Sequence, residues 1–201
     1  VGTVISTEET ILEAARKVFM QKGFAASRMC DIAKTAHINQ ALLHYYFRTK
    51  GKLFAMIFDQ ESQKFQSNLI SILTSDSPFF EKLRRMVEEE IAKMRSAPYL
   101  PMFILNEMHS NPERQCAGPR ESHARVYKVF RDLVEKEQAA GRILPVCPRQ
   151  LFLSIMGLTM FPFLAQPMYQ AALEAEHESF EQLIDDRVAH VSNMIIRSLQ
   201  V

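Results

Sequence analysis

The stretch SRMCDIAKTAHINQALLHYYFRTKGK, Ser27–Lys52, carries two short helical patterns that meet at a tight junction and run out into aromatics and cations. Met29, Ile32, Ala33 and Ala36 recur at helical spacing, and Ser27 before them offers the hydroxyl of an N-cap, so a short supporting helix is expected. The second pattern opens at Asn39, another favoured N-cap. It sets Leu42, Leu43 and Tyr46 on one face while Gln40, Ala41, His44 and Tyr45 point elsewhere. Helices this short do not hold on their own, so the apolar face must anchor the second one to a neighbour. An amide, a small residue, an imidazole and a phenol are then left outward, a set suited to base edges and phosphates in a major groove. The pair is expected to work as a helix-turn-helix on double-stranded DNA.

Working outward, the motif is one part of an ordered series: TEETILEAARKVF (Thr7–Phe19), the helix stop Gly23-Phe24, the entry Ala26-Ser27-Arg28, then Asp31-Ile32-Ala33, the turn Ala36-His37-Ile38, and LLHYYFRTKGKLF (Leu42–Phe54). In this order Thr7–Phe58 resembles the DNA-binding domain of the TetR family of bacterial transcriptional regulators. Two positions depart from that pattern: His37 stands where the family usually has glycine, and Gly51 where an acid is common. Histidine tolerates positive φ better than most residues, so His37 is compatible with the turn, and Gly51 near a helix start is a mild local cost. The expected DNA contacts are Gln40 and His44 on base edges with Ala41 beside them. Arg28, Tyr45, Arg48 and Lys50 are expected mainly on phosphates, and Ser27 and Asn39 stand at the two helix starts.

Charge is distributed in the same sense. Through Ala55 there are eight cations against four acids, a net of +4, whereas the rest of the chain has a net of −3. A basic end on a mildly acidic body is what a phosphate-binding head would show, although many solvated faces carry such an excess. With 201 residues and 47% hydrophobic content, the chain can bury a core and has little room for long disordered tracts. The longest apolar run, Ile155–Ala165, is too short to span a bilayer and contains Pro162, and VGTVIS lacks the regions of a signal peptide, so no membrane partner and a cytoplasmic location are expected. Cys30, Cys116 and Cys147 are scattered and odd in number, which argues against a disulfide framework or a metal site. No cofactor motif is present.

Past the head the pattern is helical throughout and the expected class is all-α, about nine helices: a DNA-binding domain over 1–49 and a ligand-binding and dimerisation domain over 50–201. Helices are expected at about Thr7–Lys22, Lys50–Leu73 with Thr49 as cap, from Ser77-Pro78 to Ala97-Pro98, Leu100–His109, Pro119–Ala140, from Pro148 to a meeting with Pro162, and Ser179–Leu199. Leu151, Ile155, Leu158 and Phe161 form one apolar seam, with Gly157 permitting close approach, and Val188, Val191, Ile195 and Leu199 form another. Pattern alone divides these evenly between a monomer core and an interface. A single short reading helix contacts few bases, and two half-sites solve that problem. TetR-like regulators also dimerise through their last two long helices, so a homodimer is expected.

A small, largely apolar effector is implied more by the resemblance than by residues. The candidate lining is Phe65, Met86, Met102, Phe103, Phe130 and Met156, with Asn106, His109 and Thr159 as polar groups that orient a guest. Ordinary core packing accounts for most of these equally well. An enzyme reading has little support: His109 and Cys116 are near in sequence, but Asn111-Pro112 intervenes and no glycine elbow or phosphate loop accompanies them. Within DNA binding the rival is a redox sensor, with oxidation of Cys30 misaligning Gln40 and His44.

Overall fold

The computed structural model describes the backbone of residues 6–98 and 117–201, and the side chains of those residues except Met20, Phe58, Glu61 and residues 117–122. The described residues fold into nine helices. They are α1 (Thr7–Ala26), α2 (Met29–Thr35), α3 (Gln40–Tyr46), α4 (Lys50–Thr74), α5 (Phe79–Ser96), α6 (Ala117–Ala139), α7 (Pro148–Leu164), α8 (Gln166–Ala175) and α9 (Phe180–Leu199). They form two compact units that divide inside α4, between Gln63 and Lys64. The helix expected at Leu100–His109 lies outside the described residues. The separate helix α8 was not anticipated; Ala165 leaves helical geometry and the chain turns through 70° between α7 and α8.

In the first unit α1 begins with a capping box, Ser6 Oγ accepting from the Glu9 amide at 3.1 Å while Glu9 accepts from the Ser6 amide at 2.9 Å. Gly23, at φ 70°, interrupts regular helix where the stop was expected, and a further half-turn carries the chain to Ala26. Ile11, Ala15, Val18 and Phe19 of α1 pack with Ile32, Leu43, Leu53 and Phe54 as the core of this unit. Phe19 and Phe24 each meet the Phe54 ring edge-on, with centroids 5.1 and 4.9 Å away.

The second unit is a bundle in which α5 packs on α7 and α9, and α7 in turn on α6 and α9. Its core joins Leu83, Met86, Val87, Ile91 and Met94 of α5 to Val126, Phe130 and Val134 of α6, with Leu69 and Leu73 of α4. The same core contains Leu151 and Ile155 of α7 and Ile184, Val191, Ile195 and Leu199 of α9. These last six include five residues expected at a dimer seam. Each is buried within a single chain, Ile195 at 4% exposure, so Leu151, Ile155, Val191, Ile195 and Leu199 are monomer core and cannot face a partner. Leu158 and Val188 are half-buried against the same core.

Pro162 lies inside α7 and has no N–H for the carbonyl of Leu158, four residues earlier. Arg187 of α9 fills that vacancy, donating from Nε at 3.1 Å and from Nη2 at 3.0 Å to the Leu158 oxygen. Burial lowers the guanidinium pKa there, partly offset by the nearby Tyr169.

Candidate nucleic-acid interface

The junction between α2 and α3 is built from backbone hydrogen bonds. The Ile38 amide donates to Ala33 O at 3.0 Å and the His37 amide to Lys34 O at 3.1 Å, the paired bonds of a Schellman stop. That stop requires a left-handed residue, and His37 supplies it at φ 55° in place of glycine. Two residues later Asn39 caps α3 as expected, its Oδ1 accepting from the Leu42 amide at 2.7 Å. The entry of α3 is therefore fixed on both sides of a four-residue turn.

This geometry leaves Gln40, Ala41, His44 and Tyr45 exposed, Tyr45 at 81%. The expected apolar face is narrower than the sequence implied: Leu43 is fully buried, but Leu42 and Tyr46 are exposed, and Phe47 just past the helix supplies the second anchor. Tyr46 instead packs edge-on against Tyr45, centroids 5.5 Å apart, so two phenols project from the end of the reading helix. Arg28 and Arg48 are exposed at the flanks. Lys22 and Asp31 pair at 2.9 Å between α1 and α2, and the Lys22 hydrogen bond, outweighing desolvation, holds the Asp31 carboxyl below its ordinary range.

Two expected contacts are redirected. Ser27 is buried and caps nothing in α2; its hydroxyl donates back to the carbonyls of Val18 and Gly23, closing the end of α1. Lys50 does not offer its charge outward. Its ammonium donates to Phe24 O at 2.7 Å, Ser27 O at 3.0 Å and Ala25 O at 3.3 Å, and lies 4.4 Å from the centroid of the Phe24 ring. Three donors meet the carbonyls of Phe24 and Ala25 in the last turn of α1 and of Ser27 just past it, so the first residue of α4 clamps the end of α1. Thr49 caps α4 as expected, accepting from the Lys52 amide at 3.2 Å, and the Lys52 side chain is exposed. The sequence places Lys50 and Lys52 at the same helix start and does not by itself distinguish the clamped lysine from the exposed one.

In the second unit Met86 and Phe130 are fully buried, while Phe65 and Met156 are half-buried against the same core. The Thr159 hydroxyl donates to Ile155 O at 3.0 Å and Met156 O at 3.2 Å in its own helix, so it is satisfied as a core threonine. Met102, Phe103, Asn106 and His109 lie outside the described residues. A groove of about 350 Å³ opens elsewhere, between α5 and α9, lined by Ile91, Ala92, Ile184 and Val188 with Arg95 and Asp185 at its rim. A residue that sequence reading missed is Glu90. It is 5% exposed, and burial alone pushes its carboxyl up to about 8. Its position between Met86 and Met94, one turn from each, was the available signal; it was masked by the acidic run Glu88-Glu89-Glu90.

Cys30 is half-buried and Cys147 exposed, both as free thiols, and the redox alternative gains no support. Among the described residues no cluster of side chains could hold a metal ion, and no single helix is long and apolar enough to cross a membrane.

An exposed, doubly locked reading helix on a small helical head is the geometry of a DNA-binding regulator of transcription. Residues 11–57 match the model of the family described as bacterial regulatory proteins, tetR family. The chain is 25% identical over 169 residues to the probable HTH-type transcriptional regulator YttP of Bacillus subtilis (strain 168), covering 82% of this chain and 80% of that one. It is also 25% identical over 160 residues to the HTH-type transcriptional repressor NicS of Pseudomonas putida, covering 77% and 74%. A regulator from Saccharomonospora viridis, solved in complex with choline, superposes with a TM-score of 0.74 at 17% identity, covering 96% of this chain and 97% of the other. The matched head, residues 11–57, is thus that of a TetR-type regulator, and the chain is similar to such regulators over most of its length.

Proposed function

We infer that the protein represses transcription as a homodimer on a roughly palindromic operator and releases it when a small, largely apolar effector binds the body. In this reading residues 1–49 hold DNA, residues 50–201 sense and dimerise, and the protein acts in the cytoplasm. The observation that carries it is the outward face of α3. Gln40, Ala41, His44 and Tyr45 are solvent-exposed on a helix whose entry is fixed by His37 and Asn39. A seven-residue helix touches few base pairs, so specificity of the usual order needs a second half-site one helical turn away, supplied by a twofold partner. The faces available for that partner are the exposed ones of α7 and α9, which carry Leu153, Phe161 and Met194. The repressor name of the NicS relative supports repression, and the choline bound to the structural neighbour supports response to a small molecule.

The test is selection of bound sequences from a random DNA pool. Recovered sites should be inverted repeats with half-site centres about 10 base pairs apart or a multiple of that. Gln40→Ala and His44→Ala should each relax the preference at one position per half-site, by about 1–3 kcal/mol per base pair. Recovered sites without twofold symmetry would refute the dimeric reading.

A further inference from the structure

Resting on the operator-binding reading, we propose that α3 reads thymine methyl groups: Ala41 and Leu42 select thymine at two neighbouring base pairs of each half-site, and with Gln40 on adenine they make the core of the half-site A·T.

The orientation of α3 follows from its one buried residue. Leu43 is fully buried. At about 3.6 residues per turn, the residues turned furthest from the core of the first unit are then Ala41 and Tyr45, one turn apart. Both are exposed. On one side of that line stand Gln40 and His44, on the other Leu42 and Tyr46, and all four are exposed as well. The outward surface of α3 thus has a polar edge and an apolar edge. A lone exposed leucine is ordinary on a protein surface, but Leu42 adjoins the Ala41 methyl on the side that the buried Leu43 turns outward. In a helix-turn-helix the first residues of the second helix meet base edges, which sets Gln40, Ala41 and Leu42 against the bases and leaves the two phenols at the far end.

The chemistry of these residues chooses among bases. The sequence QALLHYY of α3 has no Arg or Lys to take the paired acceptors of guanine, and no Asp or Glu to accept from the cytosine amino group. The exposed cations that flank the motif, Arg28, Lys34 and Arg48, lie outside α3, where they suit phosphates. His44 can meet N7, which both purines carry, and so does not separate them. Asn39 is not a second amide reader, because its Oδ1 already accepts from the Leu42 amide at 2.7 Å. Gln40 is left as the amide that matches the N6 and N7 edge of adenine. The side chains of Ala41 and Leu42 have no hydrogen-bonding groups, and the apolar group that a base presents in the major groove is the C5 methyl of thymine. A cytosine at the same place lacks that methyl and brings an amino group that these side chains leave unsatisfied.

The experiment uses the protein with the operator recovered by selection from random DNA, and binding is read by fluorescence anisotropy. Recovered half-sites should have A·T pairs at their core. Each thymine is then replaced by deoxyuridine, which removes the C5 methyl and nothing else. With the wild-type protein, replacement at two neighbouring base pairs should weaken binding by about fourfold per methyl, the transfer cost of one such group. Leu42→Ala should remove the penalty at one of these positions and Ala41→Ser at the other, with unchanged affinity for random DNA as the sign that both variants fold. A C·G pair at either position should bind more weakly than T·A, and 5-methylation of that cytosine should recover part of the loss. Deoxyuridine tolerated throughout an operator that is still selected and symmetrical would overturn the methyl inference and leave the operator-binding reading standing. A half-site core of G·C pairs would do the same. Deoxyuridine penalties that persist in full in both variants would remove Ala41 and Leu42 from the contact. Absence of any sequence preference would overturn both readings together.

Discussion

At the scale of single residues, two charges are placed where their sequence context did not suggest. Lys50 holds three carbonyls at the end of α1, and hydrogen bonds from a charged donor contribute about 1.5–3 kcal/mol where they are partly shielded from water. Lys50→Met should therefore lower the stability of the protein by about 1–3 kcal/mol in urea titration and leave the slope of log DNA affinity against log salt unchanged. Lys52→Ala should do the reverse, reducing that slope by about 1 per subunit with little effect on stability. Glu90 gives a pH signature. In the unfolded chain its carboxyl ionises near 4.5, in the folded protein at about 8. Between those values the unfolded state binds fewer protons than the folded state, so stability falls as pH rises from about 4.5 to about 8 and levels off above it. Glu90→Gln removes this dependence and should be the more stable protein at pH 8 by a few kcal/mol, with the difference vanishing toward pH 4. Urea midpoints measured across that range check the sign; a wild-type curve that rises with pH through the interval would contradict the burial of Glu90.

At the scale of elements, the ends of helices were the most legible feature of the sequence. Asn39, Thr49 and Gly23 act where their chemistry placed them, because caps and left-handed stops depend on one or two neighbouring residues. Which face of a helix meets what was legible only in part. Leu42 and Tyr46 fit the apolar period of α3, yet seven residues give too few turns for the stripe to be buried whole. The partnership of Pro162 and Arg187 was not legible at all, since it joins residues 25 apart through a carbonyl that no pattern of side chains reveals. It makes a coupled prediction. Arg187→Met leaves the Leu158 carbonyl unmet and should cost about 1.5–3 kcal/mol. Pro162→Ala restores an amide that can bond that carbonyl within α7. In the Pro162→Ala background the same Arg187 substitution should cost less, with a coupling energy of at least about 1 kcal/mol. Additive costs in the double-mutant cycle would show that Arg187 acts on α7 by some other contact.

At the scale of the whole molecule, the question is which apolar surface a second copy covers. The period of α7 and α9 selects Ile155, Val191 and Ile195, but periodicity reports only that a stripe is buried, not whether the burial is within one chain or between two. The folded chain takes those three into its own core and leaves Leu153, Met194 and, of the seam read from the sequence, Phe161 outside, at 57%, 43% and 51% exposure, with open space around Gly157 between Leu153 and Phe161. The two sets make opposite predictions for one type of substitution. A charge at Ile195 has no solvent to reach, so Ile195→Glu should cost more than about 3 kcal/mol and compromise folding itself, seen as loss of the cooperative melting transition. A charge at Met194, the adjacent residue, is solvated in the lone chain and is buried only if a partner covers it. Met194→Glu and Leu153→Glu should therefore keep the melting transition of a folded chain, run as monomers in sedimentation velocity, and lose most operator affinity, because each half-site is then held by one head alone. If both variants remain dimers at micromolar concentration, the partner sits on some other face than that of α7 and α9.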